Sequence, residues 1–125
     1  DTIEAHFRDM NKSAADYDLI ATGDLGRVGH RIAGDLLKKH GLDIPDEKLT
    51  DCGVLIYKDD QPVFAGGSGC ACAATTTYGH FLNRMRRGEL KKILVVATGA
   101  LLSPMSYQQK ETIPCIAHAV SIEME

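Results

Sequence analysis

The chain has 125 residues, of which 44% are hydrophobic and 25% charged, and its net charge is −3. This length allows one globular unit with a core, and the absence of a basic stripe with interleaved aromatic residues argues against nucleic-acid binding. No apolar run in the sequence is long enough to cross a bilayer. The sequence begins as if in the middle of a helix, so we expect it to be a piece of a longer protein.

The four cysteines predict neither a disulfide framework nor a metal site. Cys70 and Cys72 are two residues apart, so on a helix they point to different faces, whereas zinc sites use a C-x-x-C type of spacing with a second ligand pair. We therefore expect reduced, buried cysteines that pack as small apolar residues, and no cofactor.

Apolar periodicity predicts helices and strands that alternate along the chain, which is typical of an α/β layered fold with a mixed sheet. The buried character of two strands indicates a parallel setting for them. The predicted elements are a helix at Thr2–Met10, a strand at Tyr17–Thr22, a helix at Val28–His40, a loop at Leu42–Asp51, a strand at Val54–Tyr57, a helix from about Gly69 to Arg87, a strand at Lys92–Thr98, a loop at Leu101–Pro114 and a strand at Ile116–Met124 that can run antiparallel.

The stretch GGSGCACAATTTYGHFL, from Gly66 to Leu82, predicts a central helix that follows a glycine-rich turn. No charged residue occurs in this stretch, and a helix without a charged face is expected to be buried on all sides. The charged residues that begin at Arg84 predict that the last turns of the helix are exposed. The uncovered N–H groups of its first turn would face a pocket.

Three glycine-bearing loops predict a single ligand site, because ligands of layered α/β folds gather where strands end. The loops are Thr22–Gly26, Gly66–Gly69 and Thr98–Gly99. Asp24 is interpreted either as a ligand contact or as a turn residue that bonds its own backbone. Ser68 is interpreted either as a ligand contact or, preferably, as the N-cap of the central helix. We also expect His80 to be at least half-buried and Cys70 to pack rather than react.

The chain resembles the C-terminal part of thiolase-fold proteins and, more closely, the sporulation proteins of that fold in endospore-forming bacteria. The resemblance covers nearly the whole sequence. The phrases that carry it are YDLIATGDLGRVGHRI (Tyr17–Ile32), TDCGVLIY (Thr50–Tyr57), AGGSGCACA (Ala65–Ala73) and ILVVATGALLSPMSYQQKETIPCIAHAVSIE (Ile93–Glu123). The resemblance implies a partial thiolase-like layered fold and a domain, over residues 1–125, that continues beyond this sequence.

Several departures from the thiolase pattern indicate that this chain does not catalyse acyl transfer. Condensing enzymes of the fold place a His or an Asn in the loop where this chain has Gly23–Gly26, and often Gly-His-Pro where it has Gly66-Gly67-Ser68. Thiolases carry Cys-x-Gly where it has Ala97-Thr98-Gly99. The alternative is an acyl-transferring enzyme whose nucleophile lies in an N-terminal half outside this sequence.

The resemblance therefore implies a binding component of a membrane-associated assembly that moves dipicolinic acid, with or without calcium, into the developing spore and out at germination. The expected ligand-binding residues are Asp24, Gly67, Ser68 and Thr98, with Thr22 close by. The expected partners are other membrane subunits of the assembly, and the N-terminal part of the protein or a second copy of it. The expected location is peripheral, on the cytoplasmic face of the spore inner membrane.

Overall fold

The computed structural model describes residues 1–100, 103–113 and 115–125, and its helices and strands confirm a mixed α/β fold. A 3₁₀ turn at Ala14–Asp16 precedes the first strand, and a π-helical turn at Thr77–Phe81 joins two short helices without interruption. The elements are α1 (Thr2–Asp9), β1 (Leu19–Thr22), α2 (Gly26–Lys39), β2 (Leu49–Asp51), α3 (Cys52–Leu55), α4 (Cys72–Thr76), α5 (Leu82–Arg86), β3 (Lys92–Ala97), α6 (Pro104–Gln108) and β4 (His118–Glu123).

The four strands form one mixed sheet in the order β2-β1-β3-β4. Strands β1, β2 and β3 run parallel, and β4 pairs with β3 in the antiparallel direction, which confirms the predicted final strand. All four residues of β1 are buried, as expected for a parallel strand with both faces covered.

Two core layers lie on opposite faces of the sheet, because side chains alternate along each strand. Ile20 belongs to the layer with α1 and α2, where Phe7 and Leu37 pack. Ala21 belongs to the layer with α3 to α5, where Cys52 and Phe81 pack. Helices therefore cover both faces of the two central strands.

The predicted strand at Val54–Tyr57 is wrong, and a strand lies instead at the end of the segment predicted as a loop. Leu49–Asp51 pairs with β1, and the chain then turns at once into the helical turn α3. The Asp51 side chain accepts the Val54 N–H at 3.1 Å and so caps that turn. This cap and the pairing with β1 outweigh the strand propensity of the apolar residues that follow.

The prediction that the central helix is buried on all sides is wrong for this chain. Its helical residues run from Cys72 to Arg86, and only the face that carries Cys72, Thr76 and Phe81 packs against the sheet. Ala74 and Thr75 on the opposite face are exposed, because nothing within the described residues lies against them. Exposure of the last turns is confirmed at Arg86 and Arg87.

The segment Leu101–Pro114, predicted as a loop, contains the short helix α6. The Ser103 hydroxyl accepts the Ser106 N–H at 3.3 Å and caps this helix. Leu101, Leu102 and Pro114 themselves lie outside the described residues. Across the part of the chain that the structure describes, no helix has both the length and the apolar content that a membrane crossing requires.

Candidate functional site

Three loops meet beside the carboxyl ends of β1 and β3, as the glycine pattern predicts. The Asp24 N–H donates to the Thr98 hydroxyl oxygen at 3.0 Å, which joins the loops that follow the two strands. The Ser68 hydroxyl donates to Asp24 Oδ2 at 2.8 Å, and the Gly69 N–H donates to the same oxygen at 3.0 Å. We call Asp24, Ser68, Gly69 and Thr98 the Asp24 cluster.

Asp24 carries a negative charge at neutral pH. Partial burial acts to raise the pKa of its carboxyl group, but hydrogen bonds from the Thr98 side chain, the Gly69 N–H and the Ser68 hydroxyl outweigh this effect and lower the pKa below its usual value. The cluster therefore contains three hydrogen-bond donors, and the Asp24 carboxylate accepts hydrogen bonds from all three.

Two local interpretations of the cluster residues are wrong. Ser68 does not cap the central helix, because the N-cap position of α4 is Ala71 and no side chain bonds there. The carboxylate of Asp24 bonds to Ser68 and Gly69 of a distant loop instead of to its own backbone. Both side chains thus join loops that are far apart in sequence.

Gly67, also predicted as a ligand contact, lies next to the cluster but has its N–H in use. That N–H donates to the Gly53 carbonyl oxygen at 2.6 Å. A side chain at Gly67 would lie 2.8 Å from Ile56 and 3.2 Å from Tyr57, so the position is filled by α3 and the residues after it. Gly67 therefore holds the loop of Ser68 against α3.

Asp51 holds the loop of Asp24 in place through buried hydrogen bonds, and it was not predicted from the sequence. Its side chain is only 1% exposed, and it accepts hydrogen bonds from the Thr22 hydroxyl at 2.7 Å and from three backbone N–H groups. Those groups belong to Leu25 at 2.9 Å, Gly26 at 3.0 Å and Val54 at 3.1 Å. Asp51 thus fixes the loop that carries Asp24, and it engages the Thr22 hydroxyl that was expected near a ligand.

The cysteines divide into two kinds. Cys52 and Cys72 are buried, as predicted, whereas Cys70 and Cys115 are exposed, which contradicts the prediction for those two. Burial, reinforced by the Asp51 charge, raises the pKa of the Cys52 thiol to about 12, and burial also raises that of Cys72. Both buried thiols therefore stay protonated at neutral pH.

His80 and His118 lie on elements that do not carry the Asp24 cluster. His80 was expected to be at least half-buried but is exposed, because it lies on the uncovered face of the central helix. His118 is exposed on β4. In the three described segments, no group of three or more His, Cys, Asp or Glu side chains could hold a metal ion.

A cleft of about 670 Å³ opens next to the cluster, between α1, α2 and the ends of β1 and β3. Thr98 belongs to both features, since it lines the cleft and bonds to Asp24. The walls of the cleft are mainly apolar, with Ile3 on α1 and Leu25 and Leu36 on α2. Of the cluster, Thr98 lines the cleft, so its hydroxyl group lies at one side of a mainly apolar space.

The fold and this cluster define an α/β protein with a candidate polar site at the carboxyl ends of parallel strands. The family model of stage V sporulation protein AD (SpoVAD) matches residues 1–123. The chain is 58% identical over 123 residues to stage V sporulation protein AD of Bacillus subtilis (strain 168), an alignment that covers 98% of this chain and 36% of that protein. The chain therefore belongs to the SpoVAD family, and it spans little more than a third of the length of this relative.

Proposed function

We propose that this chain is part of a dicarboxylate-binding component of a sporulation assembly, and that the Asp24 cluster contacts dipicolinic acid. The assembly would take the ligand up during sporulation and release it during germination. The observation that carries the proposal is the meeting of three loops at Asp24, where the Ser68 hydroxyl and the Gly69 N–H donate to the carboxylate and the Thr98 hydroxyl accepts the Asp24 N–H. Membership of the SpoVAD family supports the sporulation role.

The chemistry of the cluster supports an anionic, flat ligand. The donors of Ser68 and Gly69 already bind one carboxylate, that of Asp24, so they have the geometry that a ligand carboxylate needs. The cleft of about 670 Å³ beside Thr98 has room for an aromatic ring against apolar walls. The Asp24 charge repels a dianion, so we propose that calcium strengthens binding by offsetting that repulsion.

We propose that the protein binds its ligand without catalysing acyl transfer. A nucleophilic cysteine acts as the thiolate, and the pKa of about 12 keeps Cys52 below the cluster protonated. Among the hydrogen bonds of the described residues, none joins a cysteine or serine to a histidine base. The alternative acyl-transferring enzyme would take its nucleophile from outside this chain, and an assay of the full-length protein with acyl-CoA distinguishes the two.

We propose a thiolase-like layering in which the N-terminal part of the protein, or a second copy, covers the open face of the central helix. The small exposed residues Ala74 and Thr75 on that face would allow another backbone to come close. We also propose that the protein is peripheral on the cytoplasmic face of the spore inner membrane and contacts membrane subunits of the same assembly.

Replacing Ser68 with alanine in the full-length protein should weaken dipicolinate binding about five- to tenfold, because one hydroxyl donor contributes about 1 kcal/mol. The melting temperature should change little, since the Ser68–Asp24 hydrogen bond is solvent-exposed. Isothermal titration calorimetry with dipicolinate, with a plain aliphatic dicarboxylate beside it, and each with and without calcium, measures the effect.

Ser121→Ala is the matched control, because Ser121 is exposed on β4 and distant in sequence from the cluster. It should bind like the wild type. Two results would contradict the proposal: a wild-type protein that does not bind dipicolinate under any of these conditions, or equal affinity in Ser68→Ala and the wild type.

A further inference from the structure

An apolar stripe runs along α2, from the exposed residues Val28 and Ile32 to the edge of the cleft at Leu25 and Leu36. Val28, Ile32 and Leu36 follow one another at intervals of four, so they share one face of the helix. Their exposed fractions are 46%, 50% and 50%, and Leu25 adds 39% at the start of the helix. The helix is held to the sheet elsewhere, by Leu37, which is 7% exposed.

Cations flank this stripe. Arg27, Arg31 and Lys38 are exposed and share the neighbouring face of α2, and Lys39 is exposed at its last turn. Asp35 is the single acidic residue of the helix. Because the whole chain has a net charge of −3, this concentration of positive charge is a local property of α2.

Phe64 is an exposed apolar residue of the loop that reaches the start of α2. Its side chain is 93% exposed, the highest value among the exposed large hydrophobic residues of the described chain. The Arg27 N–H donates to the Ala65 carbonyl oxygen at 2.7 Å, which places the residue after Phe64 against the first turn of α2. We define the α2 surface by its apolar residues Leu25, Val28, Ile32 and Leu36 together with the flanking cations.

We propose that the α2 surface rests on an anionic lipid bilayer. A helix that lies in a membrane interface buries an apolar stripe at the headgroup boundary, while flanking Lys and Arg side chains bind anionic headgroups. The α2 surface combines an apolar stripe with flanking Lys and Arg side chains. The positive charge of those side chains is complementary to anionic lipid headgroups. Leu25 and Leu36 also line the cleft beside Thr98, so the cleft opens next to the bilayer.

The inference rests on the proposed peripheral location and is independent of the proposed ligand. Sedimentation of the full-length protein with protein-free vesicles tests it, with one set made of phosphatidylcholine and the other of phosphatidylcholine mixed with phosphatidylglycerol. Wild type should bind the mixed vesicles at least about tenfold more tightly, and salt should weaken that binding because it screens charge.

Arg31→Glu should lower the affinity for the mixed vesicles about tenfold or more, and Ile32→Ser about tenfold, while both variants keep their circular dichroism spectrum and dipicolinate affinity. Arg86→Glu on α5 is the control, since it makes the same charge change at an exposed arginine of a different helix. It should bind vesicles like the wild type.

Three outcomes overturn the inference: no sedimentation of the wild type with protein-free anionic vesicles, as expected if only protein subunits hold it at the membrane; equal binding to both vesicle types; or equal losses in Arg86→Glu and Arg31→Glu. If the wild type does not bind dipicolinate, that result would instead contradict the proposed function, and the conclusion from vesicle binding would still hold.

Discussion

Asp51→Ala should lower the free energy of unfolding of the full-length protein by about 3–5 kcal/mol, the largest effect of any single substitution considered for this chain. The substitution removes a buried carboxylate and leaves the Thr22 hydroxyl and three backbone N–H groups without their acceptor. Denaturant-induced unfolding, followed by circular dichroism, measures the change.

Asp43→Ala is the control, because Asp43 is an exposed aspartate of the loop before β2. Its free energy of unfolding should stay within about 0.5 kcal/mol of the wild-type value. Asp51→Ala should also weaken dipicolinate binding, because Asp51 fixes the loop of Asp24. This variant should therefore lose both stability and affinity, whereas Ser68→Ala should lose affinity alone. An Asp51→Ala protein as stable as the control would contradict this role.

Gly53→Ala should destabilise the full-length protein by about 3 kcal/mol, at the upper end of the cost of overpacking. A Cβ atom at this position would overlap the Gly67 carbonyl oxygen and lie 3.2 Å from the Asp24 Cα atom. Both neighbours are backbone, so neither can move aside without displacing the loops that form the Asp24 cluster. Thermal unfolding and dipicolinate titration should both show the loss.

Gly34→Ala is the matched control, because a Cβ atom there would meet only the Leu49 side chain, at an ordinary contact distance of 3.8 Å, and the residue lies inside α2. It should leave stability unchanged or raise it by up to about 1 kcal/mol, since alanine favours a helix more than glycine does. If Gly53→Ala is as stable as Gly34→Ala, the close approach of α3 to the loop of Ser68 is wrong.

The strands of the sheet centre could be predicted from sequence because their signal is local. Leu19–Thr22 and Lys92–Ala97 are short apolar runs that end in turn residues, and a run of this kind predicts a buried strand whatever surrounds it. The meeting of Asp24 and Thr98 followed from a general property of parallel sheets, since loops at one edge lie close together. Ser68 was predicted there for the wrong reason, because its loop follows α3 and not a strand.

Asp51 and β2 were not predicted because the signals in that region conflict. The apolar run Val54–Tyr57 favours a strand by composition, whereas the structure depends on pairing with β1 and on the cap that Asp51 provides. An aspartate three residues before Val54 is an N-cap signal, and it would have identified both α3 and the buried carboxylate.

The central helix is less buried than its sequence predicts, because the sequence does not show which helix faces have a neighbour. A sequence such as CACAATTT shows that close packing is possible on every face but does not show which faces have a neighbour. Thr76 packs against the sheet and donates to the Cys52 carbonyl oxygen at 3.4 Å, whereas Thr75 next to it is exposed. Cys70 is exposed for the same reason, since it precedes the first helical turn and none of the described residues covers it.

A crystal structure of the full-length protein with bound dipicolinate would show whether the Asp24 cluster contacts the ligand. The proposal predicts a ligand carboxylate oxygen within about 2.7–3.2 Å of the Ser68 or Thr98 hydroxyl, with the aromatic ring in the cleft beside Thr98. Dipicolinate bound at a surface away from Asp24, with the hydrogen bonds of the Asp24 cluster unchanged, would contradict it.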